Sequence, residues 1–179
     1  MERIIGLIKQ DLVRIKALDC VYQLGLPQCY IAAGFVRNLV WDSLHGFETP
    51  TPLNDVDVIY FDQNEPDVDT YLAYESQLIK SMPDLNWQVR NQANMHRSNG
   101  HPPYKSSLDA MSHWPEKETA VGIRQISMDH FECISAFGFE SLFNYEITYN
   151  SKSSREKFEG RINSKSWLVK WPSLRKVPW

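Results

Sequence analysis

The feature that most restricts this chain is an ordered pair of segments in its first third. The first is Tyr30-Ile31-Ala32-Ala33-Gly34-Phe35-Val36-Arg37-Asn38, and the second is Asn54-Asp55-Val56-Asp57-Val58-Ile59-Tyr60-Phe61. The first reads as a short strand, a glycine turn and a helix that opens with an arginine. The second reads as a strand that begins with two carboxylates one residue apart. Strand side chains alternate, so Asp55 and Asp57 point to one face, and Val56, Val58 and Tyr60 take the other. Ile59 and Phe61 continue the acidic face as apolar residues, which predicts a strand buried on both sides beyond its acidic start.

Each segment has a functional reading and a plainer one. Two carboxylates on one face suit Mg²⁺, a hard ion usually held by one or two carboxylates plus substrate phosphates. Yet Asn54 and Asp55 are also ordinary turn residues leading into a core strand. After Gly34, the residues Val36, Leu39, Val40 and Leu44 fall at helical spacing and give one buried face. The free N–H groups at such a helix start attract anions, and a glycine lets a phosphate come close. Arg37 in the first turn opposes the helix dipole, which is easier to explain if the cation meets a phosphate. The plainer reading is a strand-to-helix turn with an exposed or paired arginine.

Together, and in this order, the segments resemble the nucleotidyltransferase superfamily typified by DNA polymerase β. That superfamily carries a strand, a Gly-Gly or Gly-Ser helix start and an Asp-x-Asp strand. Within it the chain is similar to a small bacterial nucleotidyltransferase family of unassigned substrate. Ala33-Gly34-Phe35-Val36-Arg37-Asn38-Leu39-Val40-Trp41-Asp42 and Asn54-Asp55-Val56-Asp57-Val58 carry the match. Segments 89–96, 114–116, 119–124, 137–143 and 167–174 extend it to roughly residues 25–175.

The resemblance implies an α+β fold, a mixed β-sheet flanked by helices. It implies Mg²⁺ or Mn²⁺ at Asp55 and Asp57. It also implies a triphosphate cradle of Gly34, Phe35, Arg37, Asn38 and Asn54. The reaction would move a nucleoside monophosphate from a nucleoside triphosphate to an unknown acceptor hydroxyl on a small molecule, protein or RNA, with release of pyrophosphate. The chain departs from the pattern at Phe35, which stands where the turn would carry Gly or Ser. The superfamily's third carboxylate is also not obvious. The strand expected over 87–93 offers Asn91 as its central polar residue and third metal ligand, with Glu132 as a substitute. These departures keep open a degenerate module that binds nucleotide without turnover.

Charge marks a second region. Residues 151–179 hold eight Lys and Arg against two Glu, a net +6 that leaves −9 on the other 150 residues of a chain whose total is −3. Trp167, Trp171 and Trp179 lie in the same stretch. We expect residues 1–150 to form the nucleotidyltransferase-like domain and 151–179 a basic extension packed on it through its tryptophans. Its cations would face the triphosphate, an anionic acceptor, or RNA. Cys20, Cys29 and Cys133 are odd in number and widely spaced, which fits reduced thiols and neither a disulfide frame nor a zinc site. No signal peptide and no membrane-length apolar run is seen, so the expected location is cytoplasmic, without a membrane partner.

The pattern predicts one helix over 3–24 and another from Asp67 to about Met82. Beyond it lies a polar loop after the strand at 87–93, where Asn94, His96, Asn99, His101 and Lys105 either read a base or acceptor or are simply solvated. A capped helix is expected over 106–113, and a hairpin turning at Met128-Asp129.

Overall fold

The computed structural model describes residues 1–178. Trp179 lies outside the described residues.

A five-stranded mixed sheet organises the chain. Its strands are β1 (Tyr30–Ala32), β2 (Val56–Tyr60), β3 (Trp87–Asn91), β4 (Val121–Ser127) and β5 (His130–Ser135), in the order β3-β2-β1-β4-β5. Only β2 and β3 run parallel; the other neighbours are antiparallel. The mixed sheet with flanking helices is the α+β architecture expected from the sequence.

One sheet face carries Ile31, Val56, Val58, Tyr60, Val89 and Ile123, all fully buried in the main hydrophobic cluster. Helices α1 (Glu2–Ile8), α2 (Leu12–Tyr22), α3 (Gly34–Leu44) and α4 (Tyr71–Ser81) contribute to that cluster. The opposite face carries Tyr30, Ala32 and Ile59 against Met111 of α6 (Ser107–Met111). Asp57 lies on this second face, as the alternation of β2 requires.

Several element boundaries differ from the sequence pattern for local reasons. The expected helix over 3–24 is two helices, because Asp11 accepts the Arg14 N–H and caps a new start at Leu12. Arg14 is buried, and its Nε donates to the Phe35 carbonyl at 3.0 Å, which ties α2 to the start of α3. Asp67 holds a turn rather than opening α4, since its carboxylate accepts the Asp69 N–H. The polar stretch after β3 is a helix, α5 (Gln92–Asn99), capped by Asn91. The α6 cap is as expected: Ser106 Oγ accepts the Asp109 N–H at 2.9 Å, while Asp109 accepts the Lys105 N–H. The hairpin forms at the expected turn, with Asp129 at φ 59°.

After α7 (Glu140–Phe143) and β6 (Glu146–Ile147), the chain forms α8 (Arg155–Lys165), α9 (Trp167–Lys170) and β7 (Arg175–Lys176), which pairs parallel with β6. This basic segment does not stand apart from the rest. Phe158, Ile162, Trp167, Trp171 and Leu174 are buried in the main cluster. Trp41 of α3 meets Trp167 and Trp171 edge to face, with ring centroids 5.7 and 5.1 Å apart. Buried aromatic pairs of this kind add about 0.5–1.5 kcal/mol each beyond their area. Asp42, one residue on, accepts from Trp171 Nε1 at 2.8 Å, from the Thr51 N–H at 2.7 Å and from the Thr51 hydroxyl at 2.6 Å. A single carboxylate therefore joins α3, the proline-containing loop before β2 and the C-terminal segment.

Replacing Asp42 with alanine strands those three donors. We expect Asp42→Ala to cost about 3 kcal/mol in urea unfolding, and Asp42→Asn, which keeps one acceptor oxygen, roughly half of that. Equal and negligible costs would show that Asp42 does not hold the segment in place.

Candidate active site

The sheet register builds the site. β1 pairs antiparallel with β2 so that Ala32 lies opposite Asp57. The chain then turns at Ala33 into α3, which sets the acidic end of β2 beside the N-terminus of that helix. Ala33 holds φ 54° and ψ −123°, a conformation that glycine adopts freely and alanine does not. Holding it there costs of order 1–3 kcal/mol, and such strain concentrates where a backbone must present its groups to a ligand. The two-residue turn is thus Ala33-Gly34, and Phe35 is the second helical residue. The departure expected at Phe35 is corrected accordingly: its side chain is fully buried in the main cluster, and only its backbone N–H can serve an anion. With alanine at the cap, no side chain satisfies the first N–H groups of α3.

Arg37 turns back over this helix start. It is buried, yet it has no ion pair among the described residues. Its guanidinium donates to Thr119 Oγ1 at 2.6 Å and twice to Asn38 Oδ1, at 3.2 and 2.9 Å. Trp167 lies 4.3 Å from the guanidinium carbon and Trp41 lies 5.0 Å away. Burial pulls Arg37 down to about 10, against the opposing pull of Glu116, so it remains a cation at neutral pH. Neither Asp42 nor Glu48 pairs with it. Three of its five N–H groups are used, and the rest are available to a ligand.

The acidic pair is asymmetric. Asp55 is exposed and accepts from Asn86 Nδ2 at 2.7 Å. Asp57 is half-buried and accepts no hydrogen bond or ion pair from the described residues. Burial first, then Asp55, pushes its carboxyl up, against the pull of Arg37, Arg161 and Lys165. A half-buried carboxylate with a like-charged neighbour and no bonded partner is a donor set that fits a hard divalent cation. No group of three or more His, Cys, Asp and Glu side chains gathers as metal donors among the described residues. The fit is therefore to two carboxylates completed by substrate oxygens.

Neither proposed third ligand reaches this pair. Asn91 lies opposite Tyr60, three residues along β3 from Gln88, the register partner of Asp57. Its amide is fully engaged: Oδ1 accepts from the Asp62 and Ala93 N–H groups, and Nδ2 donates to the Asp62 carbonyl and to Glu65. Glu132 is three strands from β2, roughly 14 Å at the usual strand spacing. There it binds Arg124 at 2.7 Å and Tyr30 at 3.1 Å. The side chain beside Asp57 on β3 is Gln88, a neutral amide. Trp87 and Val89 share Asn91's parity and are buried, so strict alternation over β3 points to Gln88.

Cations close the opposite wall. The pocket containing Gly34, Arg37, Asn38, Asn54, Asp55 and Asp57 is completed by Arg161, Lys165, Lys170, Trp167 and Trp171. Arg161 Nε donates to fully buried Glu116 at 2.7 Å, which fixes the guanidinium and leaves its terminal nitrogens free. Lys165 and Lys170 make no ion pair among the described residues. The cation excess visible in the sequence thus converges on the acidic pair, although the positions of Arg161, Lys165 and Lys170 follow only from how α8 and α9 dock.

Comparison with known proteins agrees with this architecture. Residues 19–176 match a family described as nucleotidyltransferase, and the chain belongs to that family. Nucleotidyl transfer is the role the family assigns. An NMR structure described as revealing a CCA-adding enzyme head domain superposes with a TM-score of 0.86 at 29% identity, over 100% of this chain and 96% of the other. A CCA-adding enzyme in complex with CTP matches at TM-score 0.57 and 13% identity, and an apo tRNA-processing enzyme at 0.53 and 16%. At that identity these two show the shared fold alone. This chain covers 96% and 90% of its own length in them but spans only 42% and 44% of theirs. No curated protein matches. No described helix is long and apolar enough to cross a membrane.

The raised Asp57 carboxyl has a sign that can be measured. Its protonated form favours folding, so its contribution is fully present below the unfolded carboxylate range and is lost as pH rises through the higher folded value. In metal-free buffer Asp57→Asn should therefore raise the Tm at pH 7, and the gain should shrink toward pH 4. A variant less stable than wild type at pH 7 without metal would mean that Asp57 is structurally paired.

Proposed function

We propose that this protein is a Mg²⁺- or Mn²⁺-dependent nucleotidyltransferase acting on a nucleoside triphosphate and an external acceptor hydroxyl. One observation carries the reading. An unpartnered, half-buried carboxylate and its acidic neighbour face Arg37, Arg161, Lys165 and Lys170 across a single pocket floored by the open N-terminus of α3. Anionic phosphate and divalent metal are the two ligands such a pocket would take together. The likeness to the CCA-adding head domain supports the same reading, because it extends over both chains.

In this mechanism the Gly34 and Phe35 N–H groups, with Arg37 and Asn38, hold the terminal phosphates. Asn54 lies at the mouth beside Asp55. Arg161, Lys165 and Lys170 neutralise the departing pyrophosphate from the other wall. Asp55 and Asp57 would hold the metal, which when bound neutralises phosphate charge and orients the reacting oxygens. The acceptor oxygen bonds to the α-phosphorus as the bond to pyrophosphate breaks, and the hydroxyl proton passes to solvent water. No protein nucleophile is needed, so the rate enhancement comes from positioning and charge neutralisation. Gln88 in place of a carboxylate beside Asp57 favours a second reading, nucleotide binding without turnover. Pyrophosphate release over a panel of acceptors separates the two.

Titration of triphosphate and monophosphate analogues tests the cradle. Arg161→Ala should weaken triphosphate binding on the order of 10- to 150-fold and monophosphate binding much less. Asp55→Asn and Asp57→Asn should each abolish the Mg²⁺ dependence of binding. Equal losses for both nucleotides, or Mg²⁺ dependence that survives both substitutions, would refute the arrangement.

A further inference from the structure

A second cleft opens on the other side of Asp57. It meets the phosphate pocket at Ala33, Asp57 and Arg161, and its walls come from β3, α5 and the segment before the 3₁₀ turn at Lys117–Thr119. We propose that this cleft is a nucleobase site, read by Gln88, Gln92 and Asn99 and walled by Trp114. The proposal rests on the transfer reading above, because that reading puts a triphosphate next door.

The chemistry of the walls selects the ligand. Gln92 is 5% exposed, and its Nε2 donates to the Arg90 carbonyl at 3.3 Å, while its Oε1 accepts nothing from the described residues. Gln88 Oε1 accepts from Arg90 at 3.0 Å, which leaves its Nε2 to donate. Asn99 Nδ2 donates to the Tyr104 hydroxyl at 3.3 Å, which leaves its Oδ1 to accept. The three amides therefore offer both N–H donors and two open carbonyl acceptors to the cleft. Phosphate, an acceptor only, could use the N–H groups, Arg90 and Arg161 but leaves the two carbonyl oxygens unmatched. A planar heterocycle with both donors and acceptors on its edge matches them. The half-buried Trp114 ring supplies a stacking surface of the kind used to bind bases, worth about 1–3 kcal/mol per base. The Gln92 oxygen stays open to the cleft, so a ligand that donates to it gains specificity. The base could belong to the donor triphosphate or to a nucleotide at the acceptor end, since both meet at the α-phosphate beside Asp57.

The full chain in Mg²⁺ buffer distinguishes these sources. In the first arm, non-hydrolysable analogues of the four nucleoside triphosphates are titrated beside inorganic tripolyphosphate. In the second, nucleoside monophosphates are titrated onto protein saturated with tripolyphosphate. Asn99→Leu and Trp114→Leu should lose on the order of 10-fold in nucleotide affinity in one arm, while tripolyphosphate affinity is unchanged. Loss in the first arm assigns the cleft to the donor base, and loss in the second to the acceptor base. Asn99→Leu, exposed at the end of α5, keeps the test intact if the tryptophan variant fails to fold. Unchanged nucleotide affinity in both arms, with tripolyphosphate still bound, overturns the cleft proposal and leaves the transfer reading standing. Wild type that binds no tripolyphosphate overturns the transfer reading instead. Nucleoside titration then judges the cleft alone, and no loss on substitution overturns that too.

Discussion

The structure depends on one buried cation. Arg37 lies against the rings of both Trp41 and Trp167, and its guanidinium is held by Asn38 and Thr119. Removing a guanidinium from water is expensive. Desolvated aromatic faces return about 2 kcal/mol, and neutral hydrogen bonds return part of the rest. Because no carboxylate in contact cancels the charge, it remains directed at the helix start below. The same stack fixes α9, since Trp167 can cover Arg37 only if the C-terminal segment folds back across α3. Arg161, Lys165 and Lys170 then arrive opposite the acidic pair as a consequence of packing.

This dependence joins stability to charge placement. Trp171, bonded to Asp42, and Trp167, stacked on Arg37, are four residues apart on one short helical turn. They anchor it at two adjacent turns of α3. Glu116 fixes the Nε edge of the Arg161 guanidinium, as Asn38 and Thr119 hold the guanidinium of Arg37. In both cases the cation is positioned before a ligand arrives. Such preorganisation matters for a reaction that needs charge stabilised in the transition state without reorganisation of the site.

Much of this was legible in the sequence, and the limits have physical causes. The β1–α3–β2 arrangement follows from short-range patterns: an apolar run, a glycine turn, helical spacing and a two-residue repeat. The hairpin of β4 and β5 and the serine cap of α6 were legible for the same reason. The helix break at Asp11 was not, because the apolar spacing continues across it while a side-chain cap decides the boundary. The α5 helix was not, because its polarity resembles a loop and its start depends on Asn91 acting as a cap. That same role removes Asn91 from the metal site. Gln88 was hidden behind a wrong choice of strand face, which the parity of Trp87 and Val89 corrects. The docking positions of Arg161 and Lys165 depend on contacts between segments more than a hundred residues apart, and no local pattern encodes them.

The central claim is that the acidic pair, the α3 N-terminus and the C-terminal cations share one metal–polyphosphate site. Paramagnetic broadening by Mn²⁺ added with a non-hydrolysable triphosphate tests it most directly, read on assigned backbone amides and arginine side-chain N–H groups. The account predicts that residues 33–38 and 54–57 and the Arg161 side chain broaden first and together, and that Mn²⁺ without nucleotide affects them less. Broadening centred elsewhere on the acidic surface, with residues 33–38 and Arg161 unaffected, would contradict it.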